Sequence, residues 1–219
     1  MLSLVCGPKR FRKWVKPLQD KQAYKEKLKG LHTLLYLAQT GMIKLYFGDE
    51  SGFSLSPCVP YGWIKKGQDA CLLSQRSARI NIFGLLSIEG HLLTYQKSGN
   101  INAVFLIECL DQFSLQLSKP TVIVLDNASL HTCQLLKDKQ GIWEQLGLYI
   151  FFLPKYSPHL NRIERFWKQV KYHWLKAEDY LSLDTLKDAL QAIFTGFGNQ
   201  FTLNFKDLDL NQNLILNCD

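Results

Sequence analysis

The pattern of apolar and polar residues along the chain predicts a mixed α/β fold. Apolar residues recur every three or four positions from Lys21 to Gln39, as on one face of a helix, and Gly41 ends the pattern. Short, nearly continuous apolar runs bounded by turn residues predict buried strands. The predicted strands cover 43–53, the two arms of a hairpin within 79–99, 121–126 and 148–154, and the predicted helices cover 21–39, 102–117, 134–146, 161–176 and 183–197.

This order of elements predicts one α/β domain with an extension at each end. We assign residues 1–40 to a basic N-terminal arm and linker helix, 41–200 to the domain, and 201–219 to a C-terminal tail. No repeat or low-complexity segment interrupts the chain.

Composition and charge favour a polyanionic partner. The 219 residues include 26 Lys and Arg against 19 Asp and Glu, which gives a formal charge of +7 and a pI of about 9.0. No apolar run reaches the roughly 18 residues that span a bilayer, and the N-terminus lacks the apolar core of a signal peptide. We therefore expect a cytoplasmic protein with no membrane partner. The six cysteines are scattered without paired spacing, which is typical of reduced thiols.

Three acids stand at or near the ends of predicted elements. In the strand 43–53, the period of two places Asp49 on the face of Phe47 and places Glu50 on the other face. Asp126 ends the apolar run of the fourth strand, and Glu164 lies near the start of the helix at 161–176. Two aspartates and a glutamate are suitable ligands for a pair of hard divalent cations, since Mg²⁺ prefers oxygen ligands.

Each acid also has a purely structural interpretation. Asp49 suits a turn at a strand end, Asp126 suits an Asx turn, and Glu164 suits the first turn of a helix, where the dipole favours negative charge. On an ideal helix, Lys168 and Lys171 lie about 40° and about 20° from Glu164. These two lysines either form a solvated face or contact phosphate, and we favour phosphate.

The blocks "DESGF", "LDNASLHT" and "LPKYSPHLNRIERFWKQVK" are similar, in order and spacing, to the three acid-bearing blocks of DDE transposases in the insertion-sequence branch of the Tc/mariner superfamily. The resemblance implies an RNase H-like, retroviral-integrase-like fold, in which a mixed five-stranded sheet is flanked by helices. It implies that Asp49, Asp126 and Glu164 are the catalytic, metal-binding acids. The implied cofactor is a pair of Mg²⁺ ions, with Mn²⁺ as a substitute.

The resemblance also implies partners and a location. Transposon ends and target DNA, with a preference for TA dinucleotides, are the expected substrates, and a homodimer is the expected active form. Such a protein would act on the nucleoid of a prokaryotic cell. We expect the basic arm to contact DNA through Lys9, Arg10, Arg12 and Lys13, together with Lys168 and Lys171 of the domain.

The sequence departs from the family pattern at three places. His159 stands where such proteins often carry an acid, and Arg162 stands where they often carry proline. Only the basic arm stands where relatives carry helix-turn-helix modules, so we expect weak DNA binding without sequence preference. Two alternatives stay open, a catalytically silent DNA-binding or dimerisation remnant, and an RNase H-like nuclease acting on RNA–DNA hybrids.

Other residues near the acids have secondary roles in this scheme. His131 either reaches the metal edge or the scissile phosphate, or bonds to backbone within its loop. Asn161 is expected to cap the helix that carries Glu164. Trp167 and Trp174 are expected in the core, since their spacing matches the apolar stripe of that helix.

Overall fold

The computed structural model describes residues 21–58 and 79–203, and in this part the expected elements are present. The five strands are β1 (Lys44–Phe53), β2 (Ile80–Ser87), β3 (Leu92–Ser98), β4 (Thr121–Leu125) and β5 (Leu148–Phe152), and the α-helices are α1 (Lys21–Gln39), α2 (Ala103–Ser114), α3 (Gln134–Gln145), α4 (Arg162–Gln169) and α5 (Leu183–Thr195).

The strands form one mixed sheet in the order β3-β2-β1-β4-β5. β2 pairs antiparallel with both β1 and β3, whereas β4 pairs parallel with both β1 and β5. The predicted hairpin turn contains Gly90, whose φ of 91° is readily adopted only by glycine. The expected five-stranded mixed sheet flanked by helices is therefore confirmed.

Each face of the sheet has its own hydrophobic core. On β1, Phe47 faces the core formed with α1, α4 and α5, while its neighbour Tyr46 faces the core formed with α2 and α3. On β4, Val124 and Ile123 divide in the same way. The period of two that was inferred from sequence thus sorts the side chains of both strands correctly.

Helix α1 is part of this domain's core, because one of its faces is buried against the sheet. Its apolar positions at three- and four-residue spacing are those that are buried. They are Leu28, Leu31, Leu35 and Ala38. The arm residues Lys9, Arg10, Arg12 and Lys13 and the segment 204–219 lie outside the described residues, and the division of the chain at residue 40 stays a prediction.

The long helix predicted over 161–176 is wrong in its second half. Helix α4 ends at Gln169, a π-helical turn follows at Val170–Trp174, and a 3₁₀ turn occupies Ala177–Tyr180. The ring centroid of Trp174 lies 5.9 Å from that of Phe166 and 5.3 Å from that of Phe201, so Trp174 packs in the core as expected. Packing against an aromatic residue so distant in the chain is not specified by local periodicity, which explains the error.

No helix in the described ranges is both long and apolar enough to cross a membrane.

Candidate active site

The parallel pairing of β1 with β4 brings Asp49 and Asp126 near each other. Phe47 of β1 is the parallel partner of Val124 of β4. Asp49 lies two residues beyond Phe47 within β1, so the two-residue period gives it the face of Phe47. Asp126 is the first residue after β4, two residues beyond Val124. β1 stays regular through Phe53, which returns to the same core as Phe47. This geometry agrees with the prediction that Asp49, and not Glu50, shares the face of Phe47.

Helix α4, which carries Glu164, crosses the sheet directly beside Asp49. The antiparallel partner of Asp49 on β2 is Gly84. A Cβ atom at Gly84 would lie 2.6 Å from Cζ2 of Trp167 and 3.0 Å from Cδ1 of Ile163, both on α4. The helix therefore rests on the bare backbone of Gly84, and the third helical residue, Glu164, starts from that place.

A side-chain hydrogen bond fixes the start of the same helix. Asn161 occupies the N-cap position of α4, as expected, but its side chain makes no capping bond. Instead, Nδ2 of Asn161 donates to the carbonyl oxygen of Gly48 at 3.0 Å, one residue before Asp49. Asn161 is buried, and it ties the helix to β1 rather than to its own first turn.

The three acids influence one another electrostatically. Burial raises the pKa of Asp49 to about 8, and the negative charges of Glu164, Glu50 and Asp126 contribute to the rise. Desolvation and the charge of Asp126 also raise the pKa of Glu164, against the opposing effect of Lys171. Carboxylates gathered in this way repel one another until a cation neutralises them, and such perturbed groups are frequent at functional sites.

Asp126 both forms a turn and belongs to a charged network. Its Oδ1 accepts a hydrogen bond from the backbone N–H of Ala128 at 2.9 Å, which is the Asx turn expected from the sequence. The same oxygen lies 2.7 Å from Nδ1 of His131, whose Nε2 lies 2.7 Å from Oε1 of Glu50. The structural and chemical interpretations of Asp126 are therefore compatible.

His131 is fully buried between these two carboxylates. Because both ring nitrogens meet carboxylate oxygens, both donate, and the ring is an imidazolium. Burial lowers the pKa of His131, but the hydrogen bonds and charges of Asp126 and Glu50 outweigh burial and raise it to about 10. The hydrogen bond from His131 in turn lowers the pKa of Asp126. The sequence left open whether His131 reaches the site or bonds to backbone within its loop. It does both, since its Nδ1 contacts the carboxylate of Asp126 and also the backbone oxygen of Asp126.

Glu50 is the residue that sequence reasoning missed. The alternation along β1 correctly removed it from the face of Asp49, but its partner lies in the loop after β4. The contact between Glu50 and His131 depends on the parallel pairing of β1 with β4 and on the path of the loop after β4. A further bond steers the loop, because Nδ2 of Asn127 donates to the carbonyl oxygen of Leu153 beyond β5.

Lys168 and Lys171 line an open groove together with Glu164. The groove has a volume of about 580 Å³ and extends along α4 and the π turn. Lys168 is exposed, and Nζ of Lys171 lies 5.2 Å from the ring centroid of Phe53 at the end of β1. The strip of one carboxylate and two cations expected from helical spacing is therefore present, although Lys171 lies in the π turn.

The donor set fits a hard divalent cation. Within residues 21–58 and 79–203, no three His, Cys, Asp or Glu side chains lie close enough together to hold one metal ion. Mg²⁺ is usually held by one or two carboxylates together with water and substrate phosphates, so a ready-made cluster of three protein ligands is not required. The raised pKa of Asp49 and the exposure of Glu164 beside the groove agree with such an open site.

A mixed five-stranded sheet with one aspartate on a strand, a second directly after the neighbouring parallel strand, and a glutamate on an overlying helix is the arrangement of an RNase H-like nuclease domain. The sequence profile of the DDE superfamily endonuclease family matches residues 44–187, which is more than half of the chain. The chain belongs to this family. All three acid-bearing blocks lie within the matched residues.

Solved structures support the same fold. The crystal structure of the catalytic domain of Mos1 mariner transposase is similar with a TM-score of 0.52 and 15% identity, over 80% of this chain and 82% of that one. The mariner Mos1 paired end complexes with Mg and with Mn give TM-scores of 0.59 and 0.58 at 16% and 18% identity, over 87% of this chain. This chain spans 60% of the transposase chain in each complex.

Comparison with curated protein sequences gives no match. The family match confirms the expected resemblance to DDE endonucleases, and the structural similarity confirms the RNase H-like fold class. They also confirm the expected enzyme class, a DDE endonuclease.

Proposed function

We propose that this domain cleaves DNA strands and transfers transposon ends to target DNA, with Asp49, Asp126 and Glu164 as its catalytic acids. The observation that carries the proposal is that separate elements bring these three acids near one another. β1 and β4 are parallel neighbours whose ends carry Asp49 and Asp126, and the bare backbone of Gly84 seats the helix of Glu164 beside Asp49. The raised pKa values of Asp49 and Glu164 support the same grouping.

The proposed cofactor is a pair of Mg²⁺ ions, which Mn²⁺ replaces. Asp49, Asp126 and Glu164 would hold these ions between them. When bound, the ions would supply an activated water on one side of a phosphodiester and charge stabilisation for the leaving oxygen on the other. The protein's own part is to hold the three carboxylates on β1, at the end of β4 and on α4, close to rigid elements.

The proposed substrate contacts lie along the groove beside Glu164. Lys168 and Lys171 contact the phosphate backbone there, and the basic arm at Lys9–Lys13 adds further contacts. Phosphate contacts position DNA without reading its sequence. We therefore propose that this chain alone binds DNA weakly. We further propose that a homodimer joins the two transposon ends, and that the protein acts on the nucleoid of a prokaryotic cell.

Plasmid nicking in the presence of Mg²⁺ tests this function. Wild-type protein should nick supercoiled DNA, whereas Asp49→Asn, Asp126→Asn and Glu164→Gln should each lose nicking while retaining DNA binding. The matched control is Asp111→Asn, which changes an acid that accepts hydrogen bonds from Lys139 and Trp143 of α3, on the other face of the sheet.

The outcome also separates the alternatives. Binding without nicking by the wild type would favour a silent remnant. Cleavage of an RNA–DNA hybrid in preference to duplex DNA would favour an RNase H-like nuclease. Equal nicking by wild type and all three acid variants would refute the assignment of these residues.

A further inference from the structure

We propose that Glu50 and His131 are positioning residues, which hold the Asp126 carboxylate with Oδ1 turned into the protein and Oδ2 presented to a divalent cation. The inference rests on the proposed function, since it assumes that Asp126 binds the metal. It assigns a role to an acid and a histidine that make no direct contribution to the ligand set.

The two oxygens of Asp126 have different surroundings. Oδ1 accepts from the backbone N–H of Ala128 at 2.9 Å and from Nδ1 of His131 at 2.7 Å. These two donors use the lone pairs of Oδ1, and no hydrogen bond from a described residue reaches Oδ2. A carboxylate with one oxygen occupied in this way can offer the other to a cation without rotating freely.

His131 is itself fixed at its far end. Nε2 lies 2.7 Å from Oε1 of Glu50, and the imidazole has no exposed surface. Glu50 belongs to β1, so the sheet backbone anchors the chain of contacts from Glu50 through His131 to Asp126. A histidine held at both nitrogens has one ring orientation, and it imposes that orientation on its carboxylate partner.

The arrangement uses two adjacent residues of one strand in different roles. Asp49 lies on the face of the proposed metal site, and Glu50 lies on the opposite face, where His131 engages it. Glu50 therefore supports Asp126 through His131 instead of acting as a ligand.

Metal affinity, measured without DNA or activity, tests the proposal. Isothermal titration calorimetry at a fixed pH should show that Glu50→Ala binds Mn²⁺ about 10- to 100-fold more weakly than the wild type. Losses of this size are typical when a residue that supports a metal ligand is removed. Glu50→Gln keeps an acceptor oxygen for Nε2 of His131, so it should restore most of the wild-type affinity. His131→Gln should resemble Glu50→Ala, because both N–H donors of the amide are on one nitrogen and cannot span the two carboxylates that the ring joins through Nδ1 and Nε2.

Two controls make the outcome specific. Asp111→Ala removes an acid with two side-chain hydrogen bonds away from the site, and it should leave Mn²⁺ affinity unchanged. Asp126→Asn marks the effect of losing a ligand, and it should bind most weakly. If Glu50→Ala does not fold, the contrast between His131→Gln and Glu50→Gln decides the question in the same way.

The possible failures are distinguishable. A wild-type protein that does not bind Mn²⁺, or an Asp126→Asn variant that binds it equally well, would refute the proposed function itself. Wild-type affinity in Glu50→Ala or His131→Gln, with a weakened Asp126→Asn, would refute the positioning role alone. An equal loss in Glu50→Gln and Glu50→Ala would also overturn the proposal, because it would show that the charge of Glu50 acts directly on the metal.

Discussion

Asp49 and Gly84 are paired across β1 and β2, and the missing side chain of Gly84 is what allows helix α4 to lie beside Asp49. Ile163 and Trp167 of that helix occupy the space that a Cβ atom would take. One glycine on a neighbouring strand therefore sets the distance between an acid of the sheet and an acid of the helix. The geometry of the site therefore also depends on residues, such as Gly84, that have no functional side chain.

Gly84→Ala is expected to displace α4 and reduce strand cleavage. The new Cβ would lie 2.6 Å from Cζ2 of Trp167, so the helix or the strand must shift. Overpacking of this kind costs about 1–3 kcal/mol. Thermal unfolding and plasmid nicking should both show the loss.

Gly141→Ala is the matched control for that substitution. Gly141 lies within α3, and a Cβ there would meet no atom within 4 Å. Alanine should stabilise the helix by about 0.5–1 kcal/mol and leave cleavage unchanged. Unchanged cleavage in Gly84→Ala would show that the placement of α4 does not govern the site.

Asp49→Asn should stabilise the metal-free protein, and increasingly so as the pH rises. Burial and the charges of Glu164, Glu50 and Asp126 raise the folded-state pKa of Asp49 from 3.8 to about 8. The folded state therefore binds the proton more tightly than the unfolded state, and stability falls as the pH rises between these two values. Asparagine carries no such charge. The gain in stability of Asp49→Asn over the wild type should therefore be small at pH 4 and complete above pH 8.

Melting curves in EDTA at a series of pH values measure this advantage. We expect at least about 1 kcal/mol at pH 8, which corresponds to a rise in Tm of about 2–4 °C. His131 adds its own loss of stability as the pH rises from 6.5 through its folded-state pKa of about 10, but both proteins contain it. Mg²⁺ should stabilise the wild type selectively. A difference in Tm that does not change with pH would contradict the predicted environment of Asp49.

Removing Lys168 and Lys171 should weaken DNA binding uniformly across sequences. Each lysine that neutralises a phosphate contributes about 0.9 to the slope of log affinity against log salt. The double variant Lys168→Ala/Lys171→Ala should therefore reduce that slope by about 1.8. Fluorescence anisotropy with duplex DNA at several salt concentrations gives the slope.

Lys137→Ala provides the comparison for the lysine variants. Lys137 is exposed on α3, which covers the other face of the sheet, so its removal should leave the slope unchanged. Equal slopes for wild type and the double variant would show that the groove beside Glu164 does not contact phosphate.

The positions of the three acids were predictable because they follow from short-range patterns. A strand with a strict period of two fixes the face of Asp49, and a buried run that ends at Asp126 fixes the end of β4. The apolar stripe of residues 161–176 predicts the helix that carries Glu164. The turn at Gly90 and the order of strands and helices follow from signals of the same local kind.

The features that sequence reasoning missed all depend on tertiary contacts. Glu50 meets His131 only because β1 and β4 are parallel neighbours and the loop after β4 returns towards β1. Asn161 has the sequence position of a cap, but a carbonyl of β1 is the partner of its side chain. The π turn at Val170–Trp174 likewise lies in a cluster of aromatic residues from distant parts of the chain.

The most direct test of the central claim is a crystal structure of the protein soaked with Mn²⁺, with the metal located by its anomalous scattering. The account predicts one or two Mn²⁺ ions coordinated by Asp49, Asp126 and Glu164, with Oδ2 as the ligand atom of Asp126 and with Glu50 still bonded to His131. Mn²⁺ bound elsewhere, or a metal-bound crystal in which Glu164 does not coordinate the ion beside Asp49 and Asp126, would contradict it.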